Sequence, residues 1–303
     1  MIMQKIRIKH VDAFTEIPFK GNPAGVVLDA NDLSAAQMAD IARELNLSET
    51  AFILRPSKLD ADVRIRWFTP TTEVPLCGHA TVASFHALAE EGRMGMKNDG
   101  EYHFKLETAS GILPLDVTKE NNSVTVMLGM KLPNLQSGTQ QKIELVRLLN
   151  ITQSEFDGKF PPVRDNYLFV AVKRLHTLFT IKPNFVMMSY FLESRNLHGL
   201  CVFTTETVDR DSKVHSRFFA PNDGINEDPV TGSSHAPLAV ILYENGLLQA
   251  QDGKSVFQGE QGDAIGRPGR VMVELDIDNS KPVSVKVGGR AVTIFEGDLL
   301  LND

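Results

Sequence analysis

Two stretches of this chain, residues 66–92 and 217–246, repeat one another at an offset of about half its 303 residues. The first reads RWFTPTTEVPLCGHATVASFHALAEEG and the second RFFAPNDGINEDPVTGSSHAPLAVILYENG. Each starts with Arg, two aromatics, a small residue and Pro, at Arg66 to Pro70 and Arg217 to Pro221. Each passes through an acidic, Pro-containing loop to a Gly (Gly78, Gly232), then runs through Ala- and Leu-rich sequence to another Gly (Gly92, Gly246). A long-period repeat is the mark of one supersecondary unit used twice. It argues for two related halves and against a single doubly wound sheet.

The local structure of each copy can be read. Residues 63–68 (VRIRWF) alternate with period two, the pattern of a half-buried strand, and Pro70 ends it. Gly78 opens a helix with Val82, Phe85, Leu88 and Ala89 on one side, and Gly92 closes it. The second copy predicts a strand to Phe219, a turn at Pro221, a helix from about Ser233 to Glu244 and a stop at Gly246. Ser34 caps a further helix over 35–45, with Met38, Ile41, Ala42 and Leu45 on one face, and a shorter helix is expected near 140–149. Strands are expected at 6–14, 25–28, 51–55, 102–107, 123–128, 167–172, 200–204, 270–275, 284–287 and 291–296. Gly288-Gly289 reads as a hairpin between the last two. Many strands and few helices in two similar halves give an α+β fold of two duplicated lobes. The lobes are expected at 1–118 and 119–303, with the last strand, about 291–303, able to pack back onto the first. The stretches 116–123 and 131–139 are the candidate crossovers.

Composition removes several classes. With 31 Lys+Arg against 38 Asp+Glu the net charge is −7, which argues against a nucleic-acid or anionic-membrane partner. No apolar run approaches the roughly 18 residues of a membrane span. The opening MIMQKIRIKH lacks the apolar core of a secretory signal, so a cytoplasmic location is expected. Cys77 and Cys201 are far apart with no paired-cysteine motif, which disfavours a disulfide scaffold or zinc site. No GxGxxG follows a strand and neither a phosphate loop nor a GxSxG elbow is present. Glycines 259, 262, 266 and 269 read as loop. His79 and His86 can share a helix face, yet no carboxylate or Cys completes a metal set with them in sequence. No metal and no cofactor are therefore expected.

Three polar places carry the candidate chemistry. Glu49 lies in NLSET, between the 35–45 helix and the apolar AFIL; it is either a solvated turn or capping residue, or a catalytic carboxylate. The others are Cys77-Gly78-His79 and Glu227 to Ser234 (EDPVTGSS). One reading of both is plain helix capping by Ser, Thr and Asp. The other is that two helix N-termini, one per lobe, turn their unbonded N–H groups towards a shared anionic ligand such as a carboxylate. That placement would stabilise enolate-like charge during proton abstraction.

These residues resemble the phenazine-biosynthesis PhzF-like isomerase family, within the diaminopimelate epimerase-like fold. The resemblance spans nearly the whole chain. It rests on Asp12-Ala13-Phe14 followed by Gly21-Asn22-Pro23-Ala24, on NLSETAF at 46–52, on Phe68-Thr69-Pro70 with Glu73, on LCGHAT at 76–81, and on FAPNDGINEDPVTGSS at 219–234. It implies lobes built as curved, mostly antiparallel half-barrels round a central helix, with the active site between them. It also implies proton shuttling without a cofactor and is compatible with a homodimer. By position, the acid/base carboxylate falls on Glu49, its catalytic partners on His79 and Asp228, and substrate binding on Cys77, Gly78, Gly232, Ser233 and Ser234. In related epimerases two cysteines act on opposite faces of the substrate; Cys77 matches the first, but Thr231 stands at the second and is no thiol base. The expected activity is an isomerase that moves a proton between carbons of a small carboxylate-bearing substrate through Glu49. The alternatives are an amino-acid epimerase or racemase using Cys77, and a non-catalytic metabolite-binding protein.

Overall fold

In the computed structural model, which describes residues 3–121, 123–138 and 142–302, the chain divides into two units, 1–130 with 286–303, and 131–285. The first carries β1 (Met3–Ala13), β2 (Asn22–Val27), α1 (Ala35–Leu45), β3 (Glu49–Leu54), β4 (Val63–Phe68), β5 (Glu73–Val74), α2 (Gly78–Glu90), β6 (Gly100–Thr108), β7 (Gly111–Glu120) and β8 (Ser123–Met130). The second carries β9 (Gln136–Ser137), α3 (Lys142–Leu149), β10 (Val163–Arg164), β11 (Tyr167–Ala171), α4 (Leu175–Thr180), α5 (Phe185–Glu193), β12 (Gly199–Thr204) and β13 (Ser212–Ala220). It continues with β14 (Ile225–Asp228), α6 (Gly232–Glu244), β15 (Lys254–Gln261) and β16 (Gly269–Asp278). The division falls inside β17 (Lys281–Gly289), after which β18 (Ala291–Asn302) belongs to the first unit.

Residues 116–120 pair antiparallel with 123–127 in β7 and β8, so the units part between Met130 and Lys131 rather than at 118 and 119. The second expected crossover, 131–139, holds that boundary; its last residue, with 140 and 141 of the expected third helix, lies outside the described residues. β18 pairs antiparallel with β1 from Ala13↔Ala291 to Met3↔Asn302. Gly259 lies within β15 and Gly269 opens β16, where a loop was expected; glycine is needed at 259 because a Cβ there would meet the His235 ring at 2.4 Å.

The units share one topology. In the first, β2 and β3 are parallel across α1, β3 and β4 antiparallel, β5 folds back on β4, and β4 runs parallel to β6, which pairs with β7. In the second, β11 and β12 are parallel across α4 and α5, β12 and β13 antiparallel, β14 folds back on β13, and β13 runs parallel to β15, which pairs with β16. The likeness reaches side chains. Arg66 forks onto Glu73 with both bonds at 2.7 Å and lies 5.0 Å over the Phe68 ring. Arg217 forks onto Glu227 at 2.8 and 2.7 Å and lies 5.1 Å over Phe219. The Arg-aromatic-aromatic string of the repeat is thus a bidentate ion pair stacked on a core ring, made twice.

Both repeated helices have 13 residues and are core helices. Every residue from His79 to Ala89 is buried, and α2 packs against β1, β2, β3, β8 and β18. α6 is buried from Ser234 to Leu242 and packs on β16. Helices apolar on all sides belong inside. α1 is amphipathic instead: Met38, Ile41 and Ala42 face Ile6, Ile8, Phe52 and Phe68, and Ser34 and Gln37 close a capping box. The second unit adds a layer, α3 to α5, over a cluster that includes Leu145, Leu168, Met188 and Leu200. The chain is α+β, two duplicated units with a helix at the centre of each. Among the described residues no helix is long and apolar enough to cross a membrane.

Candidate functional site

The β1–β2 hairpin prepares the site in the first unit. Asp12, buried in β1, accepts the Phe19 N–H at 2.8 Å, and Gly21 turns the chain with φ 62°. A Cβ at Gly21 would lie 2.1 Å from the Ala13 carbonyl oxygen, so no other residue fits. Pro23 follows, and its carbonyl accepts from Ser48 Oγ at 3.3 Å. The parallel register sets Ala24 opposite Glu49, the first residue of β3.

Four side chains meet there. Glu49 Oε2 is 3.3 Å from His79 Nε2, Ser48 Oγ is 3.3 Å from the same nitrogen, and Cys77 Sγ is 3.5 Å from His79 Nδ1. All three of Glu49, Cys77 and His79 are largely withdrawn from solvent, the Glu49 side chain keeping 13% exposure. A carboxylate and an imidazole at this separation can exchange one proton, and such contacts often tighten when substrate binds. Their ligand atoms all lie within 4.8 Å of one another, so Glu49, Cys77 and His79 could also hold a divalent ion. The expectation that no carboxylate or Cys completes a metal set with His79 and His86 is revised for His79, which stands with Glu49 and Cys77. The chain fold supplies both, from β3 and from the residue before α2. His86 is not part of this group; it lies 3.3 Å from Glu90, one turn further along α2.

Cys77 occupies the N-cap of α2 and Thr231 that of α6, and neither makes a side-chain capping bond. Ser34 of α1 and Asn184 of α5 do. Neither central helix, starting at Gly78 and at Gly232, is therefore capped by the side chain of the residue just before it.

In the second unit, Asp228 ends β14 and is buried. Thr231 Oγ1 donates to Asp228 Oδ2 at 2.5 Å. Ser233, at the second position of α6, is 3.1 Å from the Tyr167 hydroxyl, and Tyr167 stacks edge-on against Phe218 at 4.8 Å. Ser234 is fully buried and donates to the Thr231 carbonyl at 2.8 Å, so its hydroxyl serves the first turn of the helix. Ser48, Tyr167 and Gln261 are polar members that the sequence did not single out. Ser48 was within reach, being next to Glu49. Tyr167 and Gln261 sit in strands far along the chain and carry no local motif.

Comparison with known proteins agrees with this architecture. The family model for phenazine biosynthesis-like proteins matches residues 11–297. An uncharacterized isomerase of Clostridium acetobutylicum is 38% identical, over 99% of this chain and 100% of its own. The trans-2,3-dihydro-3-hydroxyanthranilate isomerase of Pseudomonas chlororaphis is 32% identical, over 96% of this chain and 98% of its own. The crystal structure of a PhzF-family phenazine biosynthesis protein from Bacillus anthracis superposes with a TM-score of 0.88 at 31% identity, covering 99% of this chain and 100% of that one. With a family match over nearly the whole length and these relatives end to end, this chain belongs to the PhzF family of phenazine biosynthesis-like proteins.

Proposed function

We propose that this protein is an isomerase that moves a proton between two carbons of a small carboxylate-bearing substrate, with Glu49 as the acid/base group. The observation that carries the reading is the Glu49–His79 contact at 3.3 Å, a shielded carboxylate beside an imidazole. Glu49, ionised, takes a proton from an acidic carbon; the electron pair moves into the conjugated system; the carboxyl proton returns to a different carbon. Nothing is gained or lost overall. One group serves both steps only if its proton affinity lies near working pH, which shielding from water promotes. His79 orients Glu49 and the substrate.

Asp228 and the helix starts at Gly78, Gly232 and Ser233 are the substrate-holding groups in this reading, with the N–H ends suited to a carboxylate. The relative from Pseudomonas chlororaphis supplies a first compound to try, its named substrate being trans-2,3-dihydro-3-hydroxyanthranilate. Thr231 at the position of a second thiol speaks against two-cysteine epimerisation. The reading includes no cofactor, a cytoplasmic setting and a homodimer. It is tested by incubating purified protein with that compound and a panel of cyclic and amino carboxylates, following isomer formation by NMR. Double-bond migration in one of them is expected; inversion at a stereocentre without migration would make the protein an epimerase instead.

A further inference from the structure

We propose that Gln261 and Thr231 are positioning residues for Asp228, a relay of side-chain donors that ends on its carboxylate and holds it ionised in one orientation. The inference rests on Asp228 being a substrate-facing group as read above, and it adds what keeps that group in its working state.

The direction of the relay follows from chemistry. Gln261 is almost completely buried, with Nε2 2.8 Å from the Asp228 main-chain oxygen and 3.1 Å from Thr231 Oγ1. A carbonyl oxygen can only accept, so the amide nitrogen of Gln261 must be the atom that faces it. The second amide N–H then points at Thr231 Oγ1, which accepts. The Thr231 hydroxyl proton is thereby directed to Asp228 Oδ2, 2.5 Å away. On the far side, Gln261 Oε1 accepts from the Ser216 hydroxyl at 3.2 Å.

The backbone holds this relay rigidly. Ser216 and Gln261 are register partners in the parallel β13–β15 pair, and Asp228 is paired with Phe218 in β13–β14. Ser216, Gln261, Thr231 and Asp228 are all buried. An O–H donated to a carboxylate inside a protein is a short, charge-assisted bond and favours the ionised form. Thr231 is therefore more than a missing thiol. Its single proton is committed to Asp228, which explains why a hydroxyl suits this position in a mechanism with one base.

The test is the titration of Asp228 itself, read by NMR in protein carrying 13C at aspartate carboxyl carbons, with the signal assigned by its loss in Asp228→Asn. Thr231→Val and Gln261→Leu are each expected to raise the Asp228 midpoint by at least about one pH unit, while Thr231→Ser stays close to the parent. The two removals act on different atoms, so either one, folded, decides. An unchanged midpoint in a folded Val or Leu variant overturns the relay, as would a Ser variant that behaves like Val. A fully active Asp228→Asn enzyme would overturn the catalytic reading of Asp228 without altering the titration result, so the two failures are distinguishable.

Discussion

Glu49 Oε2 stands 3.3 Å from His79 Nε2, the first residue of β3 against the second residue of α2. The contact exists because a strand that begins at the carboxylate runs beside a core helix that begins at the imidazole. Neither residue is held by a flexible loop. Sites on regular elements keep their geometry, which is what proton transfer between carbon and a side chain requires.

The two cysteines should differ in reactivity. Cys201 is fully buried in β12, and burial pushes its thiol well above the ordinary range. Cys77, at the start of α2, keeps a slight exposure through which a reagent can reach its sulfur. Iodoacetamide treatment of the native protein, followed by peptide mass mapping, should find Cys77 modified first and Cys201 intact until the protein unfolds. Earlier modification of Cys201 would contradict the burial described for β12.

His235, on α6, sets an acid limit to stability. Burial lowers its pKa to about 4, against the opposing bond to the Thr231 carbonyl, with His215 lowering it further. Its folded value lies below its unfolded one, so between roughly pH 6.5 and 4 the unfolded chain binds a proton that the folded chain refuses. Stability is thus fully present above pH 6.5 and should fall by about 3 kcal/mol as pH drops to 4. Urea denaturation across that range should show the slope in the parent protein and a flatter one in His235→Gln. Equal slopes would remove His235 as the cause.

The first-unit cluster makes a sharp prediction about metals. Glu49, Cys77 and His79 could hold a divalent ion, yet the proton-shuttle reading gives them other work. Dialysis against a strong chelator should leave turnover unchanged. Loss of turnover restored by a divalent metal would move these three residues to a metal-binding role.

Much of this was visible in the residues themselves. The Ser34 cap and the periodicity of Met38, Ile41 and Ala42 mark α1 at its observed ends, Gly78 marks the first residue of α2, and α6, expected from about Ser233, starts one residue earlier at Gly232. Such signals are local, fixed by caps and by the periodicity of burial. α4 and α5 were not visible, since Phe185 to Glu193 is too apolar for a clear polar face and neither helix spans three turns. β7 reads in part as a crossover because Asp116, Thr118, Lys119 and Glu120 face outward enough to resemble a polar loop; their pairing with β6 and β8 is set by tertiary contacts. The Gln261 relay was hidden for the same reason. Its partners Ser216, Asp228 and Thr231 come together through β13 and β15, which sequence spacing does not encode.

Glu49 is the group proposed to carry the proton, and carbon-bound hydrogen exchange reads that role most directly. Parent protein and Glu49→Gln are incubated in heavy water with a compound that the parent isomerises, and the transferred position is followed by NMR. The parent should form the isomer, with the moved hydrogen either retained or replaced by deuterium at the receiving carbon. Glu49→Gln, folded to the same melting temperature within a degree or two, should slow both isomer formation and exchange by at least about 10²-fold, the low end for losing a general acid–base group. A Glu49→Gln enzyme that still exchanges and isomerises near the parent rate would contradict the account.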